Sequence, residues 1–184
     1  MSMAKIKDWY EECFEKKYSV KFFWKTRKKA TEGRGIVKLF AQLRYHKLQL
    51  QNGAYIPLSV KFSDKAIFPH GISGIFISAG AEIGKDCIIF QQATIGSNTL
   101  PDSKSIGSPT LGDHVFVGAG AKIIGNVKIG NRVRIGANCI VTKDIPDDCT
   151  VVMGAPRVIV HETELNNAFV PYQNFLTKDE ETNE

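Results

Sequence analysis

Between Leu111 and Val141 a branched aliphatic residue returns at every sixth position: Leu111, Val117, Ile123, Ile129, Ile135 and Val141. Four residues after most of these marks stands a second, smaller or branched one: Val115, Ala121, Val127, Val133 and Cys139. A spacing of six fits neither the roughly 3.6-residue turn of a helix nor the period of about two of a half-buried strand. It fits a solenoid of very short strands that turns a corner in every repeat.

The frame reaches further back. Ile77, Ile83, Ile89 and Ile95 keep the step of six, with Ala81, Cys87 and Ala93 four residues on. Before them come Ile56, Phe62 and Phe68, followed by Val60, Ala66 and Ile72. Two steps are irregular. Phe68 to Ile77 is nine residues, with the excess around His70–Gly74, and Ile95 to Leu111 is sixteen, which pushes out the loop SNTLPDSKSIGSP. A regular stack gains little stability from such breaks, so they are where chemistry is sought. The expected layout is a helical, basic segment at 1–52, a mainly β solenoid at 53–160 with an extruded loop at 96–110, and a polar, acidic tail at 161–184. Four to five triangular coils of three hexapeptides are expected, with Pro146, Asp147 and Asp148 ending the repeat.

Charge is unevenly spread. Residues 1–50 hold thirteen Lys and Arg against five Asp and Glu, in a chain whose net charge is +5. That imbalance calls for an acidic partner or a solvated helical face. Lys5 to Tyr18 reads as a helix with Trp9, Tyr10, Cys13 and Phe14 on one side, and Ile36 to Leu48 as another with Val37, Phe40, Leu43 and Leu48 in one stripe. The aromatic cluster Tyr18, Phe22, Phe23 and Trp24 precedes the basic run KTRKK. Capping the open end of the solenoid or packing against a subunit ranks first for this stretch. Peripheral contact with a membrane ranks second, and nucleic acid a distant third. No apolar leader is visible in MSMAKIKDWYEE. Cys13, Cys87, Cys139 and Cys149 show no CxxC spacing, which suits a reducing cytoplasm, at the inner face of the membrane if the basic segment touches lipid.

His70 is the central candidate for chemistry. It follows the inward-facing Phe68 by two positions, at a corner, with Gly71 and Gly74 leaving room around it. Imidazole is the side chain best suited to take a proton from an alcohol near neutral pH. The plain alternative is a turn histidine facing water, and the broken period favours the base. Gln91 and Gln92 follow Ile89 on the next coil, either to hydrogen-bond an acceptor or to stack as turn amides. His46, His70, His114 and His161 are the only histidines, and only two lie in the repeats, so no catalytic metal is expected.

PHGISGIFIS, QQATIGSNTL, GAGAKIIGNV and MGAPRVI resemble stretches of the hexapeptide-repeat acyltransferases, above all serine acetyltransferases and the O-acetyltransferases of surface and capsular polysaccharides. The resemblance covers about Ile56 to Ile159 and implies a left-handed parallel β-helix, with MGAPRVIV as its closing strand. It further implies acetyl-CoA as co-substrate, His70 as general base, and a homotrimer with sites between subunits. Gln91, Gln92, Ser97 and Asn98 are the expected acceptor-binding residues. By matching position, Gly96, Ala119, Ala137, Lys143 and Arg157 are expected to bind CoA, the last two near its phosphates. Departures from the serine enzymes bear on the acceptor. Tyr55 replaces the aspartate that orients their histidine, Pro69 stands for another aspartate, and Ser108 in SIGSP replaces a second histidine. These losses favour a sugar hydroxyl in polysaccharide assembly, with serine as the alternative and a non-catalytic scaffold ranked below both.

Overall fold

A computed structural model describes residues 20–168, and the sequence-read helix at Lys5–Tyr18 lies outside them. The chain divides into two compact units, Met1–Met153 and Gly154–Glu184.

Among the described residues of the first unit, twelve strands of two or three residues wind into three parallel sheets. One face carries β1 (Lys61–Phe62), β3 (Glu82–Ile83), β6 (Thr110–Leu111) and β9 (Lys128–Ile129). The second carries β4 (Ile88–Ile89), β7 (Phe116–Val117), β10 (Arg134–Ile135) and β12 (Thr150–Val151). The third carries β2 (Phe76–Ile77), β5 (Thr94–Gly96), β8 (Lys122–Ile124) and β11 (Ile140–Val141). Isolated parallel bridges Ile129↔Ile145, Ile67↔Ile88 and Tyr55↔Phe76 add one level to each face, so the left-handed β-helix has five coils.

No strand this short is stable alone. The ladder between coils holds each one, and the register sets like residue against like: Ile77 under Ile95, Ile95 under Ile123, Ile123 under Val141. These residues and Ile83, Ile89, Val117 and Ile135 are all 3% exposed or less. Each buried Ile contributes about 1.5–3 kcal/mol of transfer free energy. The residues four places on, Ala81, Ala93, Ala121 and Cys139, fill the narrow corners. The winding continues past Pro146–Asp148, which form a corner rather than an end, because Ile145 and β12 still find partners in the preceding coil. MGAPRVIV is not a strand: residues 152–160 have no regular structure and are exposed.

Among the described residues two helices precede the coils, α1 (Val20–Glu32) and α2 (Gly35–Gln51), separated at Gly33-Arg34. They close the first end of the stack. Phe23 is 1% exposed and meets Phe68 edge-on at 5.6 Å, while Trp24 stacks on Phe68 and donates from Nε1 to Ala66 O at 3.2 Å.

Arg27, from the middle of the basic run, is buried. Its Nη1 donates to Tyr45 Oη and Pro57 O at 2.9 Å each, and its Nη2 to Leu58 O at 3.2 Å and Val60 O at 2.7 Å. Those carbonyls belong to the first coil, which has no coil beneath it among the described residues. A buried carbonyl without a donor is costly, and a guanidinium supplies several donors in one plane. Tyr45 passes its own proton to Ile56 O at 2.7 Å. Burial pushes the phenol up to about 12, against the pull of the Arg27 charge, so it stays neutral and donating.

The stripe expected to pack from α2 does so only at Leu48. Ala41, Tyr45 and Leu48 face inward, while Val37, Phe40 and Leu43 are 57%, 64% and 59% exposed. Tyr45 is anchored by its hydroxyl, and that contact sets the rotation of the helix.

In the second unit, residues 154–168 are exposed and contain no helix or strand.

Replacing Arg27 with Met keeps the stem and removes the donors. The expected cost is about 2–3 kcal/mol, read as a lower urea midpoint. Lys28→Met, whose partner Glu32 is 3.8 Å away at the surface, should change the midpoint little.

Candidate functional site

The corner joining the second face to the third is crossed at residues 68–75, 90–93, 118–121 and 136–139. Backbone bonds tie these crossings into one column: Gln92 N to Ser73 O at 2.9 Å, Gly120 N to Gln91 O at 3.0 Å, and Asn138 N to Ala119 O at 2.8 Å. The turns need left-handed residues, which Gln92 (φ 60°), Gly120 (φ 68°) and Asn138 (φ 57°) supply. The lowest crossing is longer, and there Gly71 (φ 70°) and Gly74 (φ 63°) turn the chain. A Cβ at Gly74 would also come within 3.1 Å of Gln92 Cγ.

His70 stands exposed on that lowest crossing. Its Nδ1 lies 2.7 Å from Gln91 Oε1. Its ring meets Phe90 edge-on at 5.5 Å and 89°, and Phe90 leans on Phe116 at 5.1 Å. Ring and amide together fix the imidazole. A carbonyl oxygen only accepts, so with Gln91 Oε1 as partner the proton belongs on Nδ1 and Nε2 is the basic nitrogen. A proton acceptor is thereby aimed away from its own support, the arrangement a general base needs.

The same corner gathers Gln92, half-buried Ala119 and exposed Ala137 with His70 and Gln91. Gly96, Ser97, Asn98 and Lys143 do not join them. They lie at the next corner, between the third face and the first, where the extruded loop leaves between β5 and β6. The loop is a hairpin closed by paired Asn98 and Gly107 backbones at 2.9 and 3.0 Å. The Asn98 side chain is used within it, giving Nδ2–H to Ser103 Oγ at 2.7 Å and taking Leu100 N–H at 3.0 Å. Asn98 thus helps to hold the loop. Gln91, expected to meet an acceptor, has its carbonyl oxygen on His70. Arg157 is exposed in the second unit.

The sequence signal for Gln91 is its interval from His70. The first coil pairs with the second at a step of 21, as in Ile67↔Ile88, and His70 to Gln91 is the same step. Other chemistries find less support here. Burial pushes the Cys87 thiol up, and it donates to Gly112 O at 3.3 Å inside the stack. Among the described residues no three His, Cys, Asp or Glu side chains converge as a metal site would require.

Residues 108–143 match the bacterial transferase hexapeptide family model of six repeats. The chain is 38% identical over 122 residues to a serine acetyltransferase of Synechococcus elongatus, covering 66% of this chain and 48% of that protein. It is 38% identical over 98 residues to one from Mycobacterium tuberculosis, covering 53% and 42%. It spans about half the length of the curated relatives it matches. Among solved structures, serine acetyltransferase isoform 3 of Entamoeba histolytica in complex with cysteine superposes with a TM-score of 0.61 at 28% identity, covering 78% of this chain and 50% of that one. The Neisseria gonorrhoeae serine acetyltransferase in complex with serine gives 0.56 at 28%, covering 73% and 52%.

In Gln91→Leu the imidazole should lose its Nδ1–H preference. Nitrogen-15 shifts of the neutral ring measure this, and an unchanged tautomer would mean that Gln91 does not hold the ring.

Proposed function

We propose that this chain, a hexapeptide-repeat protein similar to serine acetyltransferases, is an acetyl-CoA-dependent O-acetyltransferase with His70 as its general base. The observation that carries the reading is the imidazole held at Nδ1 by Gln91, standing at the break in the repeat. Acetyl-CoA supplies the acyl group as a thioester. Nε2 of His70 takes the acceptor's hydroxyl proton as that oxygen bonds to the acyl carbon, and returns it to the departing CoA sulfur. Gln91 keeps the tautomer, a role that the resemblance gives in the serine enzymes to an aspartate whose position Tyr55 occupies here. An amide also brings no negative charge to the imidazolium formed in transit, which a carboxylate would.

The column above His70 suits a thin chain. Ala119 and Ala137 present small side chains there, so the pantetheine arm can lie close to the corner backbone. Lys143 and Arg157 are our candidates for its phosphates. The proposed residues occupy two different corners of one prism, with His70 and Gln91 on one and Gly96, Ser97 and Lys143 on the next. A homotrimer that sets one subunit's first corner against a neighbour's second would complete three sites. We place the protein in the cytoplasm, in keeping with buried Cys87 and Cys139 as free thiols.

For the acceptor, the relatives support serine better than the polysaccharide sugar that the departures in sequence favoured. L-serine is therefore the first acceptor to test. A specific observation keeps the sugar as the second reading: Ile106, Gly107, Ser108 and Pro109, on the returning side of the loop, carry no charge for a serine carboxylate. An unpaired carboxylate in a closed site costs several kcal/mol.

Thiol release from acetyl-CoA with L-serine, nucleotide sugars and polysaccharide is the deciding assay. Turnover with L-serine at least about tenfold above any sugar in kcat/KM is the expected result. His70→Ala should lower kcat by roughly 10²–10⁴ with the fold intact, and unchanged turnover would remove the assignment. Lys143→Ala and Arg157→Ala should raise KM for acetyl-CoA, each by about 1 kcal/mol of phosphate contact or more. Equal effects with dephospho-CoA would move them off the 3′-phosphate.

A further inference from the structure

Among the described residues, the outward side of α2 supports neither the fold nor the proposed site. Ile36, Leu39, Phe40, Leu43 and Leu50 are each 55% exposed or more. Ile36, Phe40, Leu43 and Leu50 follow one another at helical intervals and form one stripe, interrupted by Lys47. Monomeric surfaces rarely leave so many large apolar side chains side by side. Where α1 faces α2, a groove of ≈ 970 Å³ runs under the stripe, and Lys25, Lys29, Arg44 and Lys47 stand along it. The Arg44 guanidinium lies 4.9 Å above the Phe22 ring, so its charge sits directly on the apolar surface.

The charge has one sign. Residues 20–51 contain Lys21, Lys25, Arg27, Lys28, Lys29, Arg34, Lys38, Arg44 and Lys47 against the single acid Glu32. Glu32 is already paired with Lys28 at 3.8 Å, and Arg27 is spent on the first coil. Apolar residues beside a cationic border on a helix that is not apolar all round are the pattern of a segment lying in the plane of a membrane interface. No described helix is long and apolar enough to cross a membrane. The apolar surface also extends outside the groove, at Leu39 and Leu50. A single docked peptide would fill the groove and leave those two in water, whereas a bilayer receives the whole stripe at once and offers phosphates to the lysines and arginines.

We propose that the outer face of α2, with the cations of α1 and α2 around it, is a docking surface for an anionic lipid bilayer. Ile36, Phe40 and Leu43 enter the acyl boundary. Lys25, Lys29, Arg44 and Lys47 meet lipid phosphates. The interaction is separate from acetyl transfer and stands whether or not that reading holds.

The test uses the full chain and vesicles of phosphatidylcholine with and without phosphatidylglycerol. Cosedimentation with the anionic vesicles should exceed that with neutral ones by at least ~10-fold at low salt. It should fall away at ~0.5 M salt. Phe40→Ser/Leu43→Ser changes two exposed residues, so circular dichroism should be unaltered while vesicle binding drops by ~10-fold or more. Lys25→Gln/Lys29→Gln/Lys47→Gln should remove the preference for anionic lipid. Failure of the wild-type protein to sediment with vesicles overturns the proposal, as does undiminished binding by the serine variant. A serine variant that falls to a smaller species in sedimentation velocity, in a protein without vesicle binding, also overturns it and gives the face to a second copy of the chain.

Discussion

Every coil of this protein depends on the coil above or below it for its backbone hydrogen bonds. A strand of two residues closes no bonds of its own, and a triangular turn of the chain encloses too little apolar surface to stand alone. Stacking solves both at once. Amides and carbonyls pair along the axis, as in Phe76 N to Ala93 O and Ile77 N to Tyr55 O, and isoleucines settle one over another inside. The step of six is the outcome of that constraint. It places one residue inward on each face and a small one at each corner.

Such a stack has ends, and an end leaves backbone groups bare. At the first end the chain spends a charged side chain on the problem. Arg27 gives its protons to Pro57, Leu58 and Val60, with Tyr45 as an intermediary, and Phe23 and Trp24 cover the apolar opening. Anchoring α2 through Tyr45 turns Phe40 and Leu43 outward. The exposed apolar face is thus a consequence of how the solenoid is closed, and the excess of lysines around it gives that face an electrostatic character as well.

The site grows from the same constraint, by way of its exceptions. Three added residues in the first coil lengthen the corner and free His70 from the wall. The next coil stacks Gln91 over it, and Phe90 steadies the ring. An acid in this position would hold the tautomer too, but it would add a negative charge beside the imidazole; the amide supplies the geometry without the charge. The second exception, the loop between β5 and β6, projects from a different corner. A single chain therefore carries two partial sets of residues, which is the physical ground for reading the working unit as an assembly.

Periodicity by itself determined the solenoid, its inward residues from Ile56 to Val141 and the location of His70, because burial inside a narrow prism admits few side chains and a break in so regular a pattern is plain. The helix over Val20–Glu32 was not legible, since its aromatics and cations follow no simple stripe. Nor was the inward turn of Arg27, because a lysine-rich run reads as solvated surface until the carbonyls it must satisfy are in view. The stripe on α2 was visible but its direction was not: periodicity gives a face and only packing says which way it points. The last strand, β12, was missed for a related reason, since Pro146–Asp148 look like an end when a corner tolerates the same residues. Gln91 could be seen to follow Ile89, yet its bond to His70 is a contact between coils. Only the tertiary stack, with its step of 21 residues, brings the amide oxygen to the ring nitrogen.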